Sequence, residues 1–190
     1  MTKTLWHKAQ PHVLAVAVFL LVSIFYCLPA FKGMVVNQHD VISWKGMAQQ
    51  SVEFKAKYGH FPLWTNSLFS GMPGYQVYME SKYNVTLAWL DVLFRFGLPS
   101  PASLFFLSCI CFYILAVVMR MRPWVAVFAA LAYSFASYNA VITAVGHTTK
   151  FASMGYAPAV IAGVILLTQR KYIWGFITTM LFSTLMIYQN

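Results

Sequence analysis

Two runs decide the fold: ASLFFLSCICFYILAVVM over Ala102–Met119 and WVAVFAALAYSFASYNAVITAV over Trp124–Val145, joined by Arg120-Met-Arg122-Pro123. Neither run carries a charge, and each has the length of about 17–25 residues that crosses a bilayer. Working outward, three further runs of the same kind occupy Val13–Phe31, Phe151–Thr168 and Tyr172–Tyr188. The expectation is an all-α polytopic membrane protein. Its five transmembrane helices flank a long extracytoplasmic first loop, Lys32–Pro101, that contains interfacial helices.

Composition excludes the soluble alternative. The 190 residues hold 13 Lys or Arg and 4 Asp or Glu, so 9% are charged, where a soluble domain carries about 25%. With 60% hydrophobic residues there is too little polar surface to cover a globule in water. The net charge of +9 lies between apolar runs rather than on a stripe, so it reads as membrane topology and no nucleic-acid partner is expected. Cys27, Cys109 and Cys111 all fall inside apolar runs without metal-type spacing, and read as small hydrophobes. The first run is too long for a signal-peptide core and has no A-x-A cleavage site, so it reads as an uncleaved helix.

Basic residues in short connections stay on the cytoplasmic side. Lys3 and Lys8, Arg120 and Arg122, and Arg170 and Lys171 therefore share that side with the N-terminus. Lys32–Pro101 and the turn Gly146–Lys150 then face outward. Pro101 and Pro123 stand at helix starts, where the missing N–H costs nothing. Gly155, Ala159 and Gly163 form a small-residue stripe suited to close helix packing, and Pro158 is expected to kink that helix.

All four acids, Asp40, Glu53, Glu80 and Asp91, lie in the first loop, and the five runs contain no Asp, Glu, Lys, Arg or His. Ion-coupled carriers need titratable groups at membrane depth, so a transporter reading is weakened. Trp44, Met47, Ala48, Ser51, Phe54 and Tyr58 recur at helical spacing and predict an interfacial amphipathic helix over Trp44–Tyr58, with Lys55 snorkelling from its apolar side. A second helix is expected over Val85–Phe96, with Asn84 as N-cap, an Asp91–Arg95 pair, and apolar faces lying on the membrane surface. Between them Phe61–Tyr75 interleaves turn formers with large apolar residues and reads as an ordered, packed loop. Asn84-Val-Thr86 also matches a glycosylation sequon, a tripeptide frequent by chance.

Asp40 follows the first run in Asn37-Gln-His-Asp40, and the other outward turn is Gly146-His-Thr-Thr-Lys150. Sugar transfer from a lipid-linked phosphate needs a base for the acceptor hydroxyl and cations for the departing phosphate. Asp40 fits the base, and His147 and Lys150 fit the phosphate ligands. His39, Trp64 and Asn66 complete the expected substrate-binding set. Plainer roles stand beside these: Asp40 as a helix cap, Lys150 as an interface residue, and the loop aromatics as headgroup anchors. No cofactor is expected, although a divalent metal on His39, Asp40 and His147 is an alternative.

Gln38-His-Asp40, Trp44-Lys-Gly-Met-Ala48, Pro62-Leu-Trp-Thr-Asn66, Phe69-Ser-Gly-Met-Pro73 and Gly146-His-Thr-Thr-Lys150, in this order, resemble the YfhO-like family of bacterial integral membrane proteins. That family is similar to GT-C glycosyltransferases. The resemblance implies a multi-pass protein of the bacterial cytoplasmic (inner) membrane, with Asp40 as catalytic base. It implies a polyprenyl-phosphate-linked sugar donor, contact with membrane lipid, and a cell-envelope glycan or lipid acceptor. It also implies further spans, so the chain reads as an N-terminal fragment of a longer protein. A non-enzymatic lipid or polysaccharide translocation component, or a structural subunit, is the alternative.

Overall fold

In an apolar run the backbone must satisfy its own hydrogen bonds, and helices do so within one segment. The structure, a computed structural model, describes residues 2–78 and 85–189 and is predominantly helical. Two compact units appear, one of Met1–Val36 with Thr86–Asn190 and the other of Asn37–Val85.

The first unit contains α1 (Thr2–Tyr26), α2 (Leu28–Phe31), α5 (Val85–Phe94), α6 (Ala102–Val118), α7 (Pro123–Ser134), α8 (Ser137–Val145), α9 (Thr148–Thr168) and α10 (Tyr172–Tyr188). Among the described residues, three stretches are long and apolar enough to cross a membrane: Ala9–Tyr26, Pro123–Val145 and Thr148–Thr168. The other two apolar helices, α6 and α10, have 17 residues each.

Helix α6 is the hub, because every residue from Ala102 to Cys109 is buried. Its partners fix the direction of each neighbour. His12 and Phe19 meet Tyr113 while Tyr26 meets Phe105, so α1 runs opposite to α6. Phe105 meets Phe151 and Leu107 meets Gly155, so α9 runs the same way as α6. Gly163 faces Thr179 and Gly175 faces Leu167, so α10 runs back along α9. The starts of α1 and α10 and the ends of α6 and α9 therefore share one end of the bundle. At that end Arg120 (φ 61°) and Arg170 (φ 62°) adopt the left-handed conformation that closes a helix, and the chain reverses at once.

The small-residue stripe of α9 serves two neighbours rather than one. A methyl on Gly155 would rest 3.6 Å from Leu107 of α6, whereas one on Gly163 would collide with Thr179 of α10. Helix α9 continues through Pro158 from Thr148 to Thr168. The three cysteines are buried and unpaired by disulfides, as small hydrophobes should be.

Two expected spans are interrupted. The first expected span is Val13–Phe31, but α1 begins at Thr2, stops at Tyr26 and yields to α2. Pro29 has no N–H and cannot continue the ladder, so it sits in the first turn of the new helix. The run Trp124–Val145 breaks into α7 and α8 at Phe135–Ala136, where Ala136 is extended (ψ 143°). Asn139 repairs the break, its Nδ2 donating to the carbonyls of Tyr133 (2.9 Å) and Ser134 (3.0 Å).

The second unit holds α3 (His39–Tyr58), β1 (Trp64–Thr65), β2 (Met72–Pro73) and α4 (Tyr75–Tyr78). The two short strands pair antiparallel, Trp64 opposite Pro73 and Thr65 opposite Met72, a small departure from an all-α chain. Helix α3 starts five residues before the expected Trp44, because half-buried Val41 extends the Trp44, Ala48 and Ser51 stripe by one turn. Ala48 and Ser51 are its buried positions and Gly59 (φ 81°) closes it, while the expected face members Met47 and Tyr58 remain exposed. Phe61–Tyr75 is ordered against α3, as expected, with Ser67 Oγ donating to the Met47 carbonyl, and α4 is tied to the same helix by Trp44 Nε1, which donates to Val77 O at 2.6 Å. Asn84, the expected N-cap and sequon asparagine, and Glu80 lie outside the described residues.

Candidate functional site

The residues singled out by the sequence fall into two groups. His39 and Asp40 are exposed on the first turn of α3, one and two residues after its N-cap Gln38. A carboxylate there lies where helix backbone N–H groups concentrate positive potential, which gives Asp40 a structural reason of its own. Trp64 lies in β1 and Asn66 directly follows it, both exposed. The Trp64 ring covers Gly71, whose φ of 126° and lack of a side chain permit an approach that a Cβ would bring to 2.6 Å of Nε1.

His147 and Lys150 belong to the bundle unit. Gly146 (φ 116°) ends α8, and the His147 N–H closes that helix on Ile142 O at 3.0 Å. His147 is then the N-cap residue of α9, and Lys150 lies in its first turn, which contains no acid. The Lys150 ammonium sits 5.4 Å from the centre of the Tyr138 ring on α8. Two basic side chains at the positive end of a helix are electrostatically unsupported by that helix, the reverse of the usual arrangement, and they suit an anion.

Sequence reasoning missed a cavity of about 350 Å³ in the same unit. Tyr26, Cys27, Pro29 and Ala30 from the α1–α2 break, Phe105 from α6, and Ala140, Thr143 and Ala144 from α8 line it. Tyr26 and Thr143 bring the lining hydroxyls, and that of Thr143 donates to Asn139 O at 2.7 Å, so the wall presents mainly apolar surface. The two interruptions create this space, since α2 turns away after Cys27 and α8 is offset from α7. The signals in the sequence were Pro29 and Asn139, a proline and an amide inside otherwise apolar runs.

A polar cluster elsewhere in the unit was legible only in part. Asp91 and Arg95 form the expected pair on α5, with Arg95 Nε 2.9 Å from Asp91 Oδ2. Tyr156 OH also donates to Asp91 Oδ1 (2.6 Å), as does Gln189 Nε2 (3.0 Å), and Arg95 Nη2 donates to Gln189 Oε1 (2.6 Å). These groups satisfy one another and form a clamp between α5, α9 and the end of α10.

Compared with protein-family models, curated proteins and solved structures, the chain matches none.

Proposed function

We propose that the chain is a five-span, GT-C-like glycosyltransferase module of the bacterial cytoplasmic membrane. It moves a sugar from a polyprenyl-phosphate donor to a cell-envelope acceptor on the outer face. One observation carries the reading: α8 lines an apolar cavity with Thr143 and Ala144, and three residues beyond Ala144 the chain presents His147 and then Lys150 at the start of α9. An apolar slot followed by a cationic helix start is the chemistry a lipid phosphate requires. Support for five spans comes from the helix directions, which gather the basic turns at one end of the bundle, as cytoplasmic loops demand. The cavity and α9's first turn then belong to the outward end.

In this reading Asp40 is the base that takes the acceptor hydroxyl proton, and Lys150 and His147 stabilise the departing phosphate. His39, Trp64 and Asn66 contribute to sugar and acceptor binding. Replacing Asp40 by Asn in the full-length protein should abolish transfer from a polyprenyl-phosphate sugar while membrane insertion is retained. Transfer at the original rate would remove Asp40 from the mechanism.

A second reading, a lipid or polysaccharide translocation component, draws on the break between α7 and α8. Discontinuous membrane helices form the substrate sites of many transporters. It predicts substrate movement that survives Asp40→Asn.

A further inference from the structure

The helix expected to lie flat on the membrane, α5, has two apolar faces and one charge, Asp91, with Arg95 directly after its end. Leu87, Leu90 and Phe94 turn inward and pack beside Leu107, Cys111, Tyr156, Phe182 and Leu185 of the bundle. Asp91 and Arg95 turn inward as well, into the clamp with Tyr156 and Gln189. Beyond Thr86 in its first turn, what α5 and the turn after it present outward is Trp89 (70% exposed), Val92, Leu93 (68%) and Phe96, with no charge among them. A helix lying at a water interface needs a polar face along its length, and a single threonine at one end does not make one.

The partners also fix its depth. Tyr156 is the ninth residue of α9, about 12 Å along the helix from its start. Phe94 meets Phe182 at 5.0 Å between ring centres, seven residues inside Gln189 and thus about 10 Å from that end of α10. With ten residues α5 is about 15 Å long, half the roughly 30 Å of hydrocarbon. Phe96 and Gly97, both at positive φ, then reverse the chain toward α6.

We infer that α5 is a re-entrant half-helix inside the bilayer, and that lipid acyl chains cover its Trp89, Val92, Leu93 and Phe96 face. Lipid is the occupant that fits, because this face is as apolar and as exposed as the outward surface of the spanning helices, where Phe128 of α7 and Phe176 of α10 are 77% and 62% exposed. The clamp is what permits this location: within hydrocarbon a carboxylate and a guanidinium persist only when paired and hydrogen-bonded.

The inference rests on the membrane reading, and its test separates the two. Nitroxide labels are placed at Trp89→Cys and Leu93→Cys of the full-length protein in phospholipid vesicles, with Phe128→Cys and Phe176→Cys as lipid controls and Lys45→Cys as the aqueous control. The unsubstituted protein, with its buried cysteines, supplies the background. Accessibility to dissolved oxygen over a water-soluble nickel chelate should be severalfold higher at 89 and 93 than at 45, and equal to that at 128 and 176. A water-like ratio at 89 and 93 with lipid-like controls overturns the re-entrant placement alone. Protection of both sites from both reagents overturns lipid as the occupant. Water-like controls overturn the membrane reading itself.

Discussion

Two helices of the long connection between the first apolar run and α6 resemble each other in outline and bury opposite things. Helix α3 buries a narrow stripe through Ala48 and Ser51 and leaves Asp40, Lys45, Glu53 and Lys57 outside. Helix α5 turns its one charge, Asp91, inward to a half-buried pair with Arg95 just beyond its end, and leaves Trp89 and Leu93 outside. The difference shows what amphipathicity means in each setting. Where water is available, charged side chains need no protein partner and face it; where the outer medium is apolar, they must turn inward and be fully hydrogen-bonded. Periodicity alone reveals that a helix has two faces, and the surroundings decide which one is covered.

The sharpest way to break this comparison is to remove one acid from each helix. Asp91→Ala leaves Arg95 partly buried without its carboxylate and strips Tyr156 and Gln189 of their acceptor. Its cost should be about 3 kcal/mol, the scale for breaking an ion pair from one side. Asp40→Ala, exposed in a first turn, should cost only about 0.5 kcal/mol. Denaturant unfolding in micelles measures both, and equal losses would mean that the clamp does not hold α5. Adding Arg95→Ala to Asp91→Ala should restore part of the stability, because the orphaned charge is then gone.

A smaller effect probes how α3 is held inside its own unit. Trp44→Phe keeps the aromatic body and removes the Nε1–H donated to Val77 O at 2.6 Å. The Val77 carbonyl then loses a partner, at about 1 kcal/mol. Hydrogen exchange at the amides of Val77 and Tyr78, both bonded to Gly74 O, should speed up accordingly, while exchange within the bundle helices stays unchanged.

The sequence made the regular parts of this comparison readable and concealed the irregular ones. Helices α6 and α10 fall within a residue of the expected limits, because both end at charged or turn-forming neighbours that no apolar helix can absorb. The start of α3 is hard to read because Val41, which extends the Trp44, Ala48 and Ser51 stripe, stands among polar His39, Asp40 and Ser43 and beside an exposed Ile42. The break at Phe135–Ala136 was missed because it contains neither Gly nor Pro and is maintained by Asn139, a partner formed only on folding. The pair Asp91–Arg95 was visible at i,i+4, yet its inward direction depends on Tyr156 and Gln189, which are remote in sequence. For the candidate site, spacing identified residue types suited to the chemistry and placed His147 and Lys150 on one turn. The cavity arises beside two helix breaks, whose marks in the sequence, Pro29 and the amide of Asn139, do not by themselves show that a space opens there.

The smallest expected effect concerns Lys55, the residue that seemed misplaced on the apolar side of α3. Its ammonium lies 4.3 Å from the centre of the Phe61 ring, and Phe61 in turn stacks on Tyr78, with centroids 4.2 Å apart and planes 11° from parallel. The lysine stem thus covers apolar surface while its charge rests on an aromatic face, an alternative to snorkelling into water. Lys55→Met preserves the stem and removes the charge, so the loss should be about 0.5–1 kcal/mol, the range for an exposed cation over a ring. Lys57 gives the internal control: its ammonium lies 5.1 Å from the Tyr58 ring of the same helix, so Lys57→Met removes a contact that joins no separate element. The difference between the two variants should vanish when Phe61 is replaced by Leu, since the ring that Lys55 covers is then absent. A difference that survives Phe61→Leu would assign the effect to α3 itself and leave α3 and the Phe61–Tyr78 stack uncoupled.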